Sequence, residues 1–321
     1  MSKIQYGLLI FGLLLSGQVS VSLAEEVLTL SYSAVTPTNA GVWMAEETGA
    51  FRKNGLDVRL VYIPSASTNI QALLGGNITV SHAGSSGVIV AASHGAPVVA
   101  IAAPQNRPVY TLWVQPGIRR IEDLKGKLLA ITRFNSSTHF VTSLVLKKFG
   151  LDKDVQIRQF GGVPQTLAAF VLGQVAGILT ANPPGKGYPL LNAAELGIPY
   201  ATGVIATTRD YLKRERSVLK RLLRAYSEGV SEIFYQRERT IEVLKKYLRR
   251  QDDRWLEEIY DEVRNYTERV PRVDPRIVDS ILSIMGNEKE SIRPEAVIDN
   301  SLVDELAAEG YYTKLYGREV R

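Results

Sequence analysis

Apolar and polar positions change period repeatedly along the first third of the chain. Val27 to Tyr32 alternates with a period of two and predicts a strand. Thr36-Pro37-Thr38-Asn39 is a loop rich in capping residues, and a helix follows over about Ala40 to Glu47, stopping near Gly49. Asp57 to Ile63 predicts a second strand, Thr68 to Leu74 a short helix ending at Gly75-Gly76, and Val80 to Ala83 a third strand. Gly84-Ser85-Ser86 then opens a helix that runs to His94 and closes at Gly95, before the apolar strand Val98 to Ala103. Short strands alternating with short helices predict a mostly parallel sheet covered by helices.

The pattern then restarts. Tyr110 to Val114, Leu128 to Ile131, Val155 to Phe160 and Val175 to Thr180 read as strands. Between them lie a helix burying Phe140, Val141, Leu144, Val145 and Phe149, and another over Pro164 to Leu172. Lys147 and Lys148 suit the C-terminal dipole of the first of these, and Gly150 stops it. A faint repeat links the two units: Leu74-Gly75-Gly76-Asn77-Ile78-Thr79 aligns with Val171-Leu172-Gly173-Gln174-Val175-Ala176. Helix-to-strand turns favour Gly in any case, so the match is compatible with duplication without requiring it. From Ser217 the chain reads as helical. One stripe is Val218, Leu219, Leu222, Leu223, Tyr226, Val230 and Ile233; another is Trp255, Leu256, Ile259, Tyr260 and Val263.

Composition adds three constraints. The 321 residues are 45% hydrophobic and 22% charged, enough for a substantial core and more than one compact unit. Lys3, the apolar run Leu8 to Leu15 and the small residues around Ser22-Leu23-Ala24 form a secretory signal peptide, residues 1–24, with cleavage expected after Ala24. The run is too short to span a bilayer, which takes ~20 apolar residues. With no cysteine there is neither a disulfide nor a lipid-bearing thiol, so the expected product is a free periplasmic protein. The net charge of +5 arises largely from Lys and Arg interleaved with Asp and Glu on the later helices. That is the look of a solvated face, and no nucleic acid partner is expected.

Ligands of open parallel sheets bind beyond the C-terminal strand ends, where loops lead into helix N-termini. Those loops carry Thr36, Thr38 and Asn39; Ser65, Ser67 and Thr68; Gly84, Ser85 and Ser86; Arg133, Asn135, Ser136 and Ser137; and Asn182. Such residues also cap their own helices. Converging from several loops, they make a site for an anionic or strongly polar group. Arg133 is the one cation in these loops and the candidate partner for an acidic ligand, its alternative being a solvent-facing arginine. Tyr32 and Trp43 are candidates for packing on an organic ligand or for the core. His82, His94 and His139 lack metal-ligand spacing, and no nucleophile elbow or phosphate-cradling glycine loop is present. No cofactor or metal is expected, and catalysis is disfavoured.

Several segments carry a family resemblance. Leu28 to Asn39, the run Glu46-Glu47-Thr48-Gly49-Ala50-Phe51, Lys53-Asn54-Gly55-Leu56-Asp57-Val58 and Ile121-Glu122-Asp123-Leu124-Lys125-Gly126-Lys127 resemble NMT1/THI5-like and SsuA-like substrate-binding proteins of ABC transporters. These are relatives of sulfonate, nitrate and taurine binders. The resemblance runs from about Leu28 to Ala206 and implies an α/β type II periplasmic-binding-protein fold, two lobes joined by a two-strand hinge with a ligand cleft between them. It implies a discontinuous first lobe, 25–103 plus 204–321, and a second lobe, 104–203. It also implies a small-molecule ligand and a monomer that docks on an ABC permease with a cytoplasmic ATPase. Thr79 and Ala176 depart from the acidic residue that relatives often carry after the Gly turns. Relatives handling a thiamine-precursor pyrimidine include an enzyme with a cysteine-rich motif, chemistry that a chain without Cys does not support. A small-carboxylate lyase on the same fold and an exported sensor lobe stay open as alternatives.

Overall fold

The computed structural model describes residues 26–286 and 292–317. The expected signal peptide lies outside the described residues. Among the described residues, ten strands fall into two five-stranded sheets. The first sheet contains β1 (Glu26–Tyr32), β2 (Leu56–Tyr62), β3 (Val80–Ala83), β4 (Val98–Gln105) and β10 (Gly203–Thr208) in the order β2-β1-β3-β10-β4. The second contains β5 (Thr111–Val114), β6 (Leu128–Ile131), β7 (Gln156–Gln159), β8 (Gly177–Thr180) and β9 (Tyr188–Asn192) in the order β7-β6-β8-β5-β9. Helices α1 (Ala40–Glu47), α2 (Ala50–Lys53), α3 (Ala66–Leu74) and α4 (Ser85–Ser93) link strands of the first sheet, and α5 (Ser137–Lys148) and α6 (Val163–Val171) those of the second. After β10 come α7 (Arg209–Arg214), α8 (Arg216–Tyr235), α9 (Arg237–Leu248), α10 (Asp253–Tyr266), α11 (Arg276–Met285), α12 (Ser301–Ala308) and α13 (Tyr311–Tyr316).

The sheets are mixed rather than mostly parallel. Strands β2, β1 and β3 run parallel, as do β7, β6 and β8, but β10 is antiparallel to β3 and β4, and β5 is antiparallel to β8 and β9. The antiparallel members adjoin the two crossings between sheets. The chain leaves the first sheet after Gln105 and returns to it at Gly203, so strands on either side of a crossing enter in opposite senses. Sequence periodicity missed β9 and β10. Strand β9 holds Pro189 and is an edge strand, the position in which a sheet tolerates proline.

The cores follow the predicted stripes with two corrections. Phe149 is 39% exposed, because it is the C-cap residue after the last turn of α5 rather than part of its buried face. Trp255 is only partly buried at the start of α10, with the Arg250 guanidinium over its ring at 5.1 Å. Edge strand β4 is sealed by the C-terminal chain: Ala100 donates to the Val297 carbonyl and accepts from Asp299 N–H, at 2.8 and 2.9 Å. That covering occupies part of the β4 edge, where another strand could otherwise pair.

A third link joins the lobes. Helix α11 packs against α4 of the first lobe and α5 of the second, and these two also pack on each other. Val88, Ile89, Phe140, Val141, Ile277 and Ile281 belong to one continuous buried cluster across this seam. The two-strand hinge is therefore reinforced by an apolar contact supplied from far downstream in the sequence.

Candidate functional site

Between the sheets lies a cleft with about 640 Å³ of unfilled space, its mouth included. Its walls come from both lobes. Ser33, Thr36, Thr38 and Ser65 contribute from the first; Thr132, Ser136, Ser137, Thr138, Thr166 and Thr180 from the second; Tyr110 and Thr202 sit on the crossing segments. Val163, Leu167, Ile178 and Leu179 supply an apolar floor. Among the described residues, no Lys, Arg, His, Asp or Glu lines the cleft.

Three helices point their N-termini at this space. Helix α3 begins after Ser65, α5 after Ser136 and α6 after Gly162, and none of these ends is closed by a side-chain cap. Their first N–H groups are the donors that a helix leaves without intrahelical partners. Helix α3 is held in place from below: Asn69, fully buried, accepts from Ser31 Oγ and Ser81 Oγ at 2.6 Å each. Those bonds tie the helix to β1 and β3. Ser65 itself has φ +72°, a sparsely populated region for a residue with a Cβ, and this strained conformation turns the chain into α3 at the cleft wall.

The opposing wall is a hydroxyl cluster. Thr132 Oγ1 lies 2.9 Å from both Ser136 Oγ and Thr138 Oγ1, and Thr132 N–H donates to Thr138 Oγ1 at 2.8 Å. Burial pushes the Tyr110 phenol well above its ordinary range, Tyr200 nearby adds to that, and a hydrogen bond with Ser137 pulls the other way. The Tyr110 hydroxyl therefore stays protonated. Hydroxyls and uncapped N–H groups donate without carrying full charge, so this cleft stabilises negative charge on a guest through dipoles.

Five of the expected site residues line the cleft: Thr36, Thr38, Ser65, Ser136 and Ser137. The others are placed elsewhere. Asn39 is buried and anchors the preceding loop, donating to the Ala34 carbonyl and pairing with His82 Nδ1, both at 2.7 Å. Ser67 pairs with Ser65 at 3.0 Å, and Thr68 lies on the first turn of α3 without reaching the wall. Ser85 and Ser86 are buried under the crossing segment, where Tyr200 donates to Ser86 Oγ at 3.2 Å and Ala201 N–H to Ser85 Oγ at 3.3 Å. Gly84 is a contact point between lobes: a Cβ there would clash with Ser137 Oγ and lie 2.8 Å from the Tyr200 hydroxyl. Asn182 bridges the lobes, donating to the Val35 carbonyl at 2.9 Å.

Arg133 and Asn135 are exposed and do not line the cleft. Arg133, the expected partner for an acidic ligand, stands outside this cleft. Its backbone makes the turn into α5, with its carbonyl accepting from Ser136 Oγ at 2.6 Å. Trp43 is fully buried and stacked on Tyr247 at 4.7 Å, and Tyr32 packs edge-on against it, so both belong to the core beside the first sheet. The strand-end rule reached Thr36 and Ser65 but applies equally to Thr132, after β6, and Thr180, which ends β8. Tyr110 and Thr202 carried no such signal, because which segments cross between lobes is a tertiary fact.

Two α/β lobes, two chain crossings and a polar cleft between them define a type II periplasmic-binding-protein fold. The profile described as NMT1/THI5 like matches residues 36–239, and the chain belongs to that family. Solved structures agree in fold. The alkanesulfonate-binding protein SsuA from Xanthomonas axonopodis pv. citri, bound to MOPS, is 20% identical with a TM-score of 0.73, covering 85% of this chain and 98% of that one. The periplasmic nitrate-binding protein NrtA from Synechocystis is 16% identical with a TM-score of 0.71, covering 88% of each chain. An enzyme, the desulfurization enzyme DszB, is 11% identical with a TM-score of 0.60, covering 88% of this chain and 99% of that one. A search of curated proteins finds no significant match.

Proposed function

We propose that the chain is the exported solute-binding component of an ABC-type importer, capturing a small polar or anionic organic solute by lobe closure and delivering it to a permease. One observation carries the reading: three uncapped helix N-termini from two lobes open on a hydroxyl-lined cleft that contains no charged side chain. Each terminus contributes up to ~2 kcal/mol in a partly buried site. Micromolar binding takes about 8 kcal/mol, and hydrogen bonds to a charged group add roughly 1.5–3 kcal/mol each. Termini from both lobes together reach that scale where one does not.

Contacts shared between lobes also supply the work of closure. A switch from mostly open to mostly closed needs about 5.5 kcal/mol of differential binding, which a site on one lobe cannot provide. The alkanesulfonate-binding SsuA and the nitrate-binding NrtA on this fold support sulfonates and nitrate as the first classes to try. No helix among the described residues is long and apolar enough to cross a membrane, which is compatible with a periplasmic partner docking on a permease from outside.

The enzymatic alternative is favoured only by the fold shared with DszB. Its chemistry would need an acid, base or nucleophile in the cleft, where the described wall offers hydroxyls and apolar groups. The deciding experiment is a thermal-shift screen of the mature protein against alkylsulfonates, carboxylates, nitrate and heterocycles, with turnover followed in parallel. A bound solute at a hundred times its Kd stabilises by about 2.7 kcal/mol. Stabilisation by one class without consumption of the compound is the expected result. Consumption, or no stabilisation by any class, overturns the reading.

A further inference from the structure

Behind the cleft wall, at the root of both chain crossings, two buried acceptors face the same point. Gln105 is the last residue of β4, where the chain leaves the first sheet, and Gly203 is the first of β10, where it returns. The two are partners in the β4–β10 ladder, and His82 of β3 adjoins them from the other side of β10, where it pairs with Ile205. His82 is 2% exposed and Gln105 3%.

The bonds around these side chains fix which atoms carry hydrogen. Asn39 Nδ2 donates to the Ala34 carbonyl at 2.7 Å, which leaves Asn39 Oδ1 to face His82 Nδ1, also at 2.7 Å. Nδ1 therefore holds the imidazole hydrogen and Nε2 is a bare acceptor. Gln105 Nε2 donates to the Thr38 carbonyl at 3.1 Å, and the reversed amide would set two oxygens against each other there. Gln105 Oε1 is thus an acceptor as well. Both His82 Nε2 and Gln105 Oε1 are buried without a partner among the described residues. Burial of such an acceptor costs the bonds it made to water unless a donor meets it.

Gly203 marks the space between them. A Cβ there would lie 2.2 Å from Gln105 Oε1 and 3.1 Å from His82 Nε2, with His82 Cε1 next at 3.2 Å. Backbone conformation does not call for this glycine, because Gly203 is not among those with positive φ. A small molecule close to that point reaches both acceptors, and it must bring two hydrogens. Water is the molecule of that size and chemistry.

We infer that one buried water is bound between His82 Nε2 and Gln105 Oε1, donating a hydrogen to each, and that the absent side chain of Gly203 admits it. The water closes a ring that runs from the Asn39 side chain through His82, water and Gln105 to the Thr38 carbonyl and back along the chain. That ring fastens the loop carrying Thr36 and Thr38, part of the cleft wall, to the two strands that cross between lobes. It does so whichever solute the cleft takes.

The test begins with a crystal structure of the wild-type protein that resolves ordered water. One peak within about 3.2 Å of both atoms is expected, the reach of a hydrogen bond. Direct contact of His82 Nε2 with Gln105 Oε1, or no peak between them, overturns the site. In solution at neutral pH, histidine nitrogen NMR should show Nε2 without a hydrogen, and His82 Hε1 should show an Overhauser effect from a long-lived water. A hydrogen on Nε2 overturns the assignment. Gly203→Ala fills the point and Gln105→Leu removes an acceptor, so each should abolish the water signal, with circular dichroism confirming the fold; a signal that persists in Gln105→Leu refutes the bridge. In Gly203→Ala the amides of residues 38–40 should exchange roughly tenfold faster, the scale of one lost hydrogen bond, while those of β6 and β8 keep their wild-type rates. Unchanged exchange at residues 38–40 would show that the ring does not hold the wall.

Discussion

Gly84 sits at a close approach of the two lobes, and its missing side chain is the condition for that approach. A methyl there would run into Ser137 Oγ, from the opposite lobe and at the cleft wall. Gly84→Ala should therefore hold the lobes apart and weaken ligand binding by at least about tenfold, since ~1.4 kcal/mol of lost closure suffices. Calorimetry with the solute identified by thermal shift reads this directly, and an unchanged Kd contradicts it. His82 supplies the pH prediction. It is 2% exposed, its Nδ1 pairs with Asn39, its ring stacks on Tyr226 at 6.1 Å, and its Nε2 has no partner among the described residues. Burial lowers its pKa to about 4. The unfolded chain takes up the proton near the ordinary 6.5, so stability should be full above that pH and fall as pH drops toward 4. The loss is on the order of 3 kcal/mol. Imidazole NMR shifts should stay in the neutral form until about pH 4, and titration near 6.5 in the folded protein would refute the assignment.

Among the elements, the crossing of α1 and α8 shows how small residues set an interhelical distance. A Cβ on Gly229 would collide with the backbone nitrogen of Ala45 and lie 2.7 Å from its Cα. The obstacle is main chain and cannot swing aside. Gly229→Ala gains helix propensity worth up to ~1 kcal/mol, yet it must push α1 off α8. We expect net destabilisation of about 1–3 kcal/mol in urea unfolding, the usual cost of overpacking. An unchanged or raised midpoint would show that α1 moves freely. Helix α3 illustrates the same dependence at the site. Its sequence predicts a short amphipathic helix, but its aim into the cleft follows from Asn69 gripping Ser31 and Ser81 on two neighbouring strands.

The whole molecule is two lobes sharing one seam. Helices α4, α5 and α11 place residues from both lobes and the C-terminal segment in a single buried cluster. Unfolding either lobe exposes the other's half of that seam, so the two should unfold together. Trp113 reports on the second sheet and Trp43 on the core beside the first. Single-tryptophan variants retaining one or the other should give coincident thermal transitions. Midpoints separated by more than about 5 °C, the shift that ~1 kcal/mol produces in a domain of modest size, would mean independent lobes.

Local patterning determined most of the elements and much of the loop chemistry. Period-two and helical stripes place β1 to β8, α1 and α3 to α6 within a few residues, because burial on one face imposes those periods directly on the chain, whereas the single-turn α2 carried no such stripe. The polar turns containing Thr36, Thr38, Ser65, Ser136 and Ser137 were legible for the same reason: strand-to-helix turns are where such residues gather. Only the tertiary structure decided which turns face each other. It turned Arg133 outward, made Gly84 a spacer, and drew Tyr110 and Thr202 into the wall because they lie on chain crossings. It also brought α10 and α11, more than 100 residues downstream of the second sheet's first strands, onto the cleft rim and the seam. Contacts between segments so far apart leave no period in the sequence, since each partner's pattern records only that it is buried, not against what.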